Sequence, residues 1–259
     1  MAGDNDEIRR LANEVLASLS PDELRTLTQQ LLAQRPQALD VHLTAPKPPS
    51  RRRPRRKKPV TLRVRVELSN TKPALWRRLE LPSDLMLDEV HQILQTAFGW
   101  TDSHLHQFGS GPSYHGPDTE YYLCPFMVED GEDGVPEDEV RLDELLVDVG
   151  DKLFYVYDFG DNWRHVIQLE AVLDRDTAAP RAVCTGGRQP GPAEDCGGVG
   201  GYELLVAATD PAHPEHAAAR AEYADMFGDD VDPRGWAPTP FDIEAINREL
   251  ADDGELQGR

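Results

Sequence analysis

The stretch Leu153-Phe154-Tyr155-Val156-Tyr157-Asp158-Phe159-Gly160-Asp161-Asn162-Trp163-Arg164-His165-Val166-Ile167-Gln168-Leu169-Glu170 is two apolar runs joined by a short acidic turn. The first run is apolar on both sides, with Leu153, Tyr155 and Tyr157 on one and Phe154 and Val156 on the other. That is the pattern of a strand covered on both faces, and hence central in its sheet. The second sets Trp163, His165, Ile167 and Leu169 against Arg164, Gln168 and Glu170, which predicts a half-buried strand. Residues 158–162 then form the loop of a hairpin.

Working backwards, Leu62, Val64, Val66 and Leu68 alternate with Thr61, Arg63, Arg65 and Glu67, and Leu75 to Leu81 reads as an antiparallel partner after the turn Ser69–Pro73. Leu87, Val90, Leu94, Ala97 and Phe98 recur at helical spacing, with Gly99 placed as a carboxyl-terminal cap. Residues 109–139 read as a solvated Gly-, Pro- and acid-rich loop, and Leu142, Leu145 and Leu146 as a short helix. Residues 184–202 read as a glycine-rich loop leading to a helix at Leu204–Ala208, with further helices over 214–227 and from Thr239. The expected fold is α+β, a mostly antiparallel sheet with helices packed on it, over residues 60–259.

Ahead of it, residues 1–35 carry two amphipathic helical repeats, which predict a hairpin that docks on the body or pairs with a second copy as a homodimer. Residues 36–59 are a proline-rich linker containing Arg51, Arg52, Arg53, Arg55, Arg56, Lys57 and Lys58. The net charge of −20 is divided unevenly, +5 over residues 1–59 and −25 over the rest. An acidic body repels nucleic acid, so the basic segment either contacts nucleic acid itself or lies along the body. With three cysteines in 259 residues and no long apolar run, the composition points to a cytoplasmic protein without a membrane partner.

The chemistry-bearing residues are His104, His106, Asp158, Asp161, Trp163, His165, Glu194 and Asp195. On a strand, His104 and His106 share a face, and with Asp158 and His165 they form a candidate set of divalent-metal ligands. The same residues have plainer readings: sheet-face hydrogen bonds for the first two, turn hydrogen bonds for Asp158 and Asp161, and a core position for His165. Cys184 and Cys196 are a weak half of a structural zinc site. Two functions stay open, a binding domain that engages a protein or a nucleic acid, and a metal-dependent hydrolase.

Leu75-Trp76-Arg77-Arg78, Ala97-Phe98-Gly99-Trp100 through Phe108, Tyr157 through His165, and Pro192-Ala193-Glu194-Asp195-Cys196-Gly197-Gly198 together resemble the Ri-plasmid open-reading-frame-three-like family, which includes the TnpR-like passenger protein of a mycobacterial insertion element. The resemblance spans roughly residues 60–250 and implies a compact α+β domain in a mobile-element context. It supplies no catalytic set, and the acidic body lacks the serine, arginines and DNA-reading helix-turn-helix that a serine recombinase needs.

Overall fold

A computed structural model describes residues 50–176, 178–228 and 231–257, with side chains to residue 252. The chain divides into two compact units, residues 1–46 and 47–259. The predicted helical hairpin over 1–35 and its homodimer contact lie outside the described residues, as does the linker up to residue 49.

The second unit is α+β. Its strands β1 (Thr61–Leu68), β2 (Leu75–Pro82), β3 (His106–Ser110), β4 (Glu120–Leu123), β5 (Val135–Pro136), β6 (Lys152–Tyr157), β7 (Trp163–Leu173) and β8 (Val183–Arg188) form one sheet in the order β5-β4-β3-β6-β7-β1-β2-β8. All pairings are antiparallel except β4 with β5. β6 and β7 occupy the middle, as their two-sided and alternating patterns predict.

Alternation sorts the faces. Leu62, Val64, Val66 and Leu68 of β1, with Leu75, Leu79 and Leu81 of β2, are fully buried under helices α1 (Leu87–Phe98) and, at the carboxyl end, α6 (Ile243–Gln257). The opposite face carries the ion pairs Arg63–Glu80 and Arg78–Glu170, with Arg65 lying 4.2 Å over the Trp76 ring. Burying only one face lets the polar residues stay solvated, which is the usual economy of an antiparallel sheet. Arg77 is the exception: it points inward and is 1% exposed, and its guanidinium donates to the carbonyls of Ala97, Trp76 and Arg188 between the rings of Phe98 and Phe241. Burial pulls its pKa down to about 10.

Short helices α2 (Pro125–Glu129) and α3 (Leu142–Leu145) lie between β4 and β6, separated by β5 and a 3₁₀ turn at Glu137–Glu139. α4 (Gly198–Thr209) and α5 (His216–Phe227) pack on one another through Ala207, Ala208 and Ala219, and Tyr202 joins α4 to the main core. Among the described residues no helix is long and apolar enough to cross a membrane.

Two expectations need correction. Residues 109–139 hold β4, α2 and β5 rather than one solvated loop, and residues 183–188 are an edge strand hydrogen-bonded to β2 rather than the start of a glycine-rich loop. In that strand Gly187 meets the Phe241 ring so closely that an added Cβ would lie 2.5 Å from it; glycine is what lets strand and helix approach, and it also hides the strand pattern. Residues 50–59 lie along the body. Arg53 donates its backbone N–H to the Glu144 carbonyl, and its guanidinium pairs with Asp148 and Asp151.

Candidate functional site

α1 ends where Gly99 takes φ 81°, and its N–H caps the carbonyls of Gln95 and Thr96. The following segment, 100–105, crosses the end of the β6–β7 hairpin before β3 begins at His106. Trp100 anchors it by donating its indole N–H to the Pro192 carbonyl (3.0 Å) and by packing on Tyr157. Asp102 has φ 55°, and this bend turns His104 away from the strand. His104 and His106 therefore do not share a sheet face; they enter two different clusters.

The first cluster is built on the hairpin loop. The Asp158 backbone N–H donates to the Leu105 carbonyl, and its Oδ1 accepts from the N–H groups of Gly160 (2.8 Å) and Asp161 (3.2 Å), which fixes the loop as an Asx turn at φ 53°. Its other oxygen, Oδ2, faces His104 Nε2 at 3.7 Å. The loop over 192–198 brings two more carboxylates to the same nitrogen, Asp195 Oδ1 at 3.2 Å and Glu194 Oε2 at 3.8 Å. Glu194 is held by its other oxygen, which accepts from the Tyr157 hydroxyl (3.0 Å) and the Thr101 N–H (2.9 Å). Asp161 ties the two loops together by accepting from the Gly197 N–H (3.1 Å).

His104 Nε2 and Glu194 Oε2 are both buried atoms without a hydrogen-bond partner among the described residues. One coordinating atom from each of His104, Asp158 and Asp195 lies within 4.8 Å of the others. Asp195 also belongs to the wall of a groove of about 610 Å³ that runs between α4 and α5, lined by Leu204, Tyr223, Met226, Phe227 and Trp236. The last three are about half exposed. Beside the cluster, the Cys196 thiol is pushed up to about 12 by burial and by the Asp161 carboxylate, so it stays protonated.

The second cluster joins His106 to residues that the spacing did not single out. The imidazoles of His106 and His91 stack in parallel, centroids 3.4 Å apart and planes 5° from one another. His106 Nε2 donates to Glu137 (2.9 Å), and His91 Nε2 donates to Asp102 (2.8 Å) while its Nδ1 accepts from the Tyr155 hydroxyl. Burial, and then the neighbouring His106, push the His91 pKa down to about 4, so its neutral form dominates. Sequence did carry a signal for His91: it falls four residues after Leu87 and three before Leu94, on the apolar stripe of α1. Glu137 sits in an acid-rich run and had none.

His165 and Trp163 belong to neither cluster. His165 is fully buried, donates Nδ1–H to the Trp163 carbonyl (3.0 Å) and packs against Phe98, Trp100 and Tyr155; burial lowers its pKa to about 3. His165 thus lies in the core, while His104 and Asp158 fall in one ligand-like group and His106 in another. Trp163 is likewise a fully buried core residue. Cys184 is buried on β8, its backbone bonded both ways to the Asn247 side chain, and neither it nor Cys196 falls in a ligand-like group among the described residues.

The basic segment is partly paired within the domain. Besides Arg53, Arg55 pairs with Glu144 (3.0 Å), Arg52 approaches Glu120 (3.8 Å), Arg56 donates to the Val147 carbonyl and Arg51 to that of Asp118. Lys57 and Lys58 are exposed.

A family model described as plasmid pRiA4b ORF-3-like protein matches residues 60–249. An uncharacterised protein of Sinorhizobium fredii is 36% identical over 160 residues, covering 60% of this chain and 77% of its own. The crystal structure of a protein of unknown function from Methanosarcina mazei Go1 is 28% identical and superposes with a TM-score of 0.54, covering 72% of this chain and 97% of that one. The matched span contains every residue of both clusters, and the chain belongs to the plasmid pRiA4b ORF-3-like family.

Proposed function

We propose that this domain binds a divalent cation through His104, Asp158, Glu194 and Asp195, and that the ion serves hydrolysis of a substrate whose apolar part lies in the groove between α4 and α5. One observation carries the reading: a buried imidazole nitrogen faces three carboxylate oxygens at 3.2–3.8 Å, yet none of them meets it as a hydrogen bond. Buried polar atoms left unpaired call for an explanation, and an ion between His104, Asp158 and Asp195 satisfies these three groups at once, with Glu194 beside them. Ligand atoms about 2.0–2.2 Å from an ion stand roughly 3–3.5 Å from each other, close to these separations. A divalent ion there polarises a carbonyl and lowers the pKa of bound water. Asp195, shared between ligand set and groove wall, sets the ion at the mouth of the apolar surface.

The left-handed backbone at Asp158, Asn162 and Asp195 supports the same reading, because such conformations persist where a site requires them. A role for the segment 51–58 in nucleic-acid binding has less support, since its arginines are paired to the body's own carboxylates and carbonyls. Elemental analysis of the purified protein, compared with His104→Gln and Asp195→Asn, tests the proposal. Each variant is expected to hold one equivalent of metal less than the wild type; metal content unchanged by either substitution refutes the proposal.

A further inference from the structure

The second cluster stands in a cavity of about 600 Å³ between α1, segment 100–105 and the 3₁₀ turn, with a wall that bears five carboxylates, two histidines and no lysine or arginine. Three of the groups in it are nearly inaccessible: His91 is 2%, His106 6% and Glu137 2% exposed. Only Glu137 of the five carboxylates is buried, and a buried carboxylate is costly unless a cation or a hydrogen-bond donor compensates it. Arg181 pairs with Glu89, at the edge of the wall. Asp88, another wall residue, keeps a buried carboxylate oxygen without a partner among the described residues.

The stacked imidazoles set their Nε2 atoms toward carboxylates, and one coordinating atom from each of His91, Asp102 and His106 lies within 4.8 Å of the others. Glu137 presents both oxygens to His106 Nε2, at 2.9 and 3.0 Å. We infer that His91, Asp102 and His106 form a second metal site, distinct from the one on the hairpin loop, for a divalent transition-metal ion, with Glu137 beside it as the partner of His106. Two imidazoles with one carboxylate suit zinc, iron, cobalt or nickel and leave room for water or a substrate oxygen in the cavity. The hydrogen bonds to Asp102 and Glu137 are the arrangement of these rings with the proton on Nε2; ligation through Nε2 takes the Nδ1–H tautomer instead, with the Tyr155 hydroxyl then accepting from His91 Nδ1. The carboxylates then become ligands or partners of the ion. Tyr155, which donates to His91 Nδ1 and accepts from the Gln95 amide, holds that ring in place from behind.

The test is Co²⁺ binding by the full chain, read as bound equivalents after equilibrium dialysis and as visible absorption. Glu137→Gln and Asp102→Asn change the second cluster alone, and His104→Gln changes only the first. Because a change at buried Glu137 risks the fold, Asp102→Asn, on a side chain 44% exposed, is the safer variant, with far-UV circular dichroism as the control. The wild type is expected to bind two equivalents, and the Glu137 and Asp102 variants one each, with at least a tenfold loss of affinity at the altered site. Equal binding by the wild type and both variants overturns the inference. A single wild-type equivalent lost in Asp102→Asn upholds it while rejecting the hairpin-loop site; one lost only in His104→Gln does the reverse.

Discussion

The Tyr157 hydroxyl donates to Glu194 Oε1 at 3.0 Å while accepting the Ser103 N–H at 3.0 Å, so the last residue of the central strand aims a carboxylate whose other oxygen faces His104. Burial and the Glu194 carboxylate push the Tyr157 pKa upward, and it remains a donor at any working pH. Removing a group that orients a ligand typically lowers metal affinity about 10–100-fold. Tyr157→Phe is therefore expected to weaken the first site by that factor and to cost about 1–3 kcal/mol of stability for the stranded Ser103 N–H. Isothermal titration with Zn²⁺ and chemical denaturation check the two parts separately.

His165 gives the fold an acid sensitivity of defined sign. Its folded pKa of about 3 lies below the ordinary 6.5, so between those values the unfolded chain takes a proton that the folded one refuses. Stability therefore falls as pH drops through that window, by up to about 1.4 kcal/mol per unit from this group. His165→Phe is expected to fold and to show a flatter decline between pH 6 and 4, measured by urea midpoints. An unchanged slope would remove His165 as the cause.

Gly198 has φ 68°, and a Cβ on it would lie 2.8 Å from the Asp161 carbonyl. Backbone cannot yield there as a flexible side chain would. Gly198→Ala is expected to cost about 1–3 kcal/mol and to displace the loop that carries Glu194 and Asp195. Thermal melting and metal affinity should both fall; a drop in melting alone would mean that the loop does not position the ligands.

The arginines of segment 51–58 act as a clasp. Arg53 and Arg55 are 36% and 46% exposed, so their pairs are screened and worth about 1 kcal/mol together. The double change to alanine should lower the melting temperature at low salt, with the deficit shrinking toward 0.5 M NaCl. Retention of the full chain on immobilised DNA is expected to be the same for variant and wild type.

What the sequence disclosed follows from periodicity. β1, β2, β6, β7 and α1 alternate or repeat cleanly because each has one apolar face on a shared core. β4 and β8 did not show, since Gly186, Gly187 and an acid-rich context replace the branched residues that mark a strand. For the site, four of the eight residues singled out, His104, Asp158, Glu194 and Asp195, come together. They do so through two loops that the sequence marks as turns without showing that they meet, since the Asp161–Gly197 contact between them is long-range. The spacing of His104 and His106 misled because alternation holds only within a strand, and β3 begins at His106.

The seam between β1 and β7 has a consequence in time. Leu68 pairs with His165 and Thr61 with Leu173, and β2 finds β8 only from Val183 onward. During synthesis at about 5–20 residues per second, the β1–β2 hairpin has both edges open for roughly 5–20 s before its neighbours exist. Throughout that wait the ribbon carries Arg63, Arg65, Arg77 and Arg78 against Glu67 and Glu80, and so keeps a net positive charge. Those arginines make the nascent hairpin a poor template for pairing with another chain, until Glu170 arrives on β7 to receive Arg78.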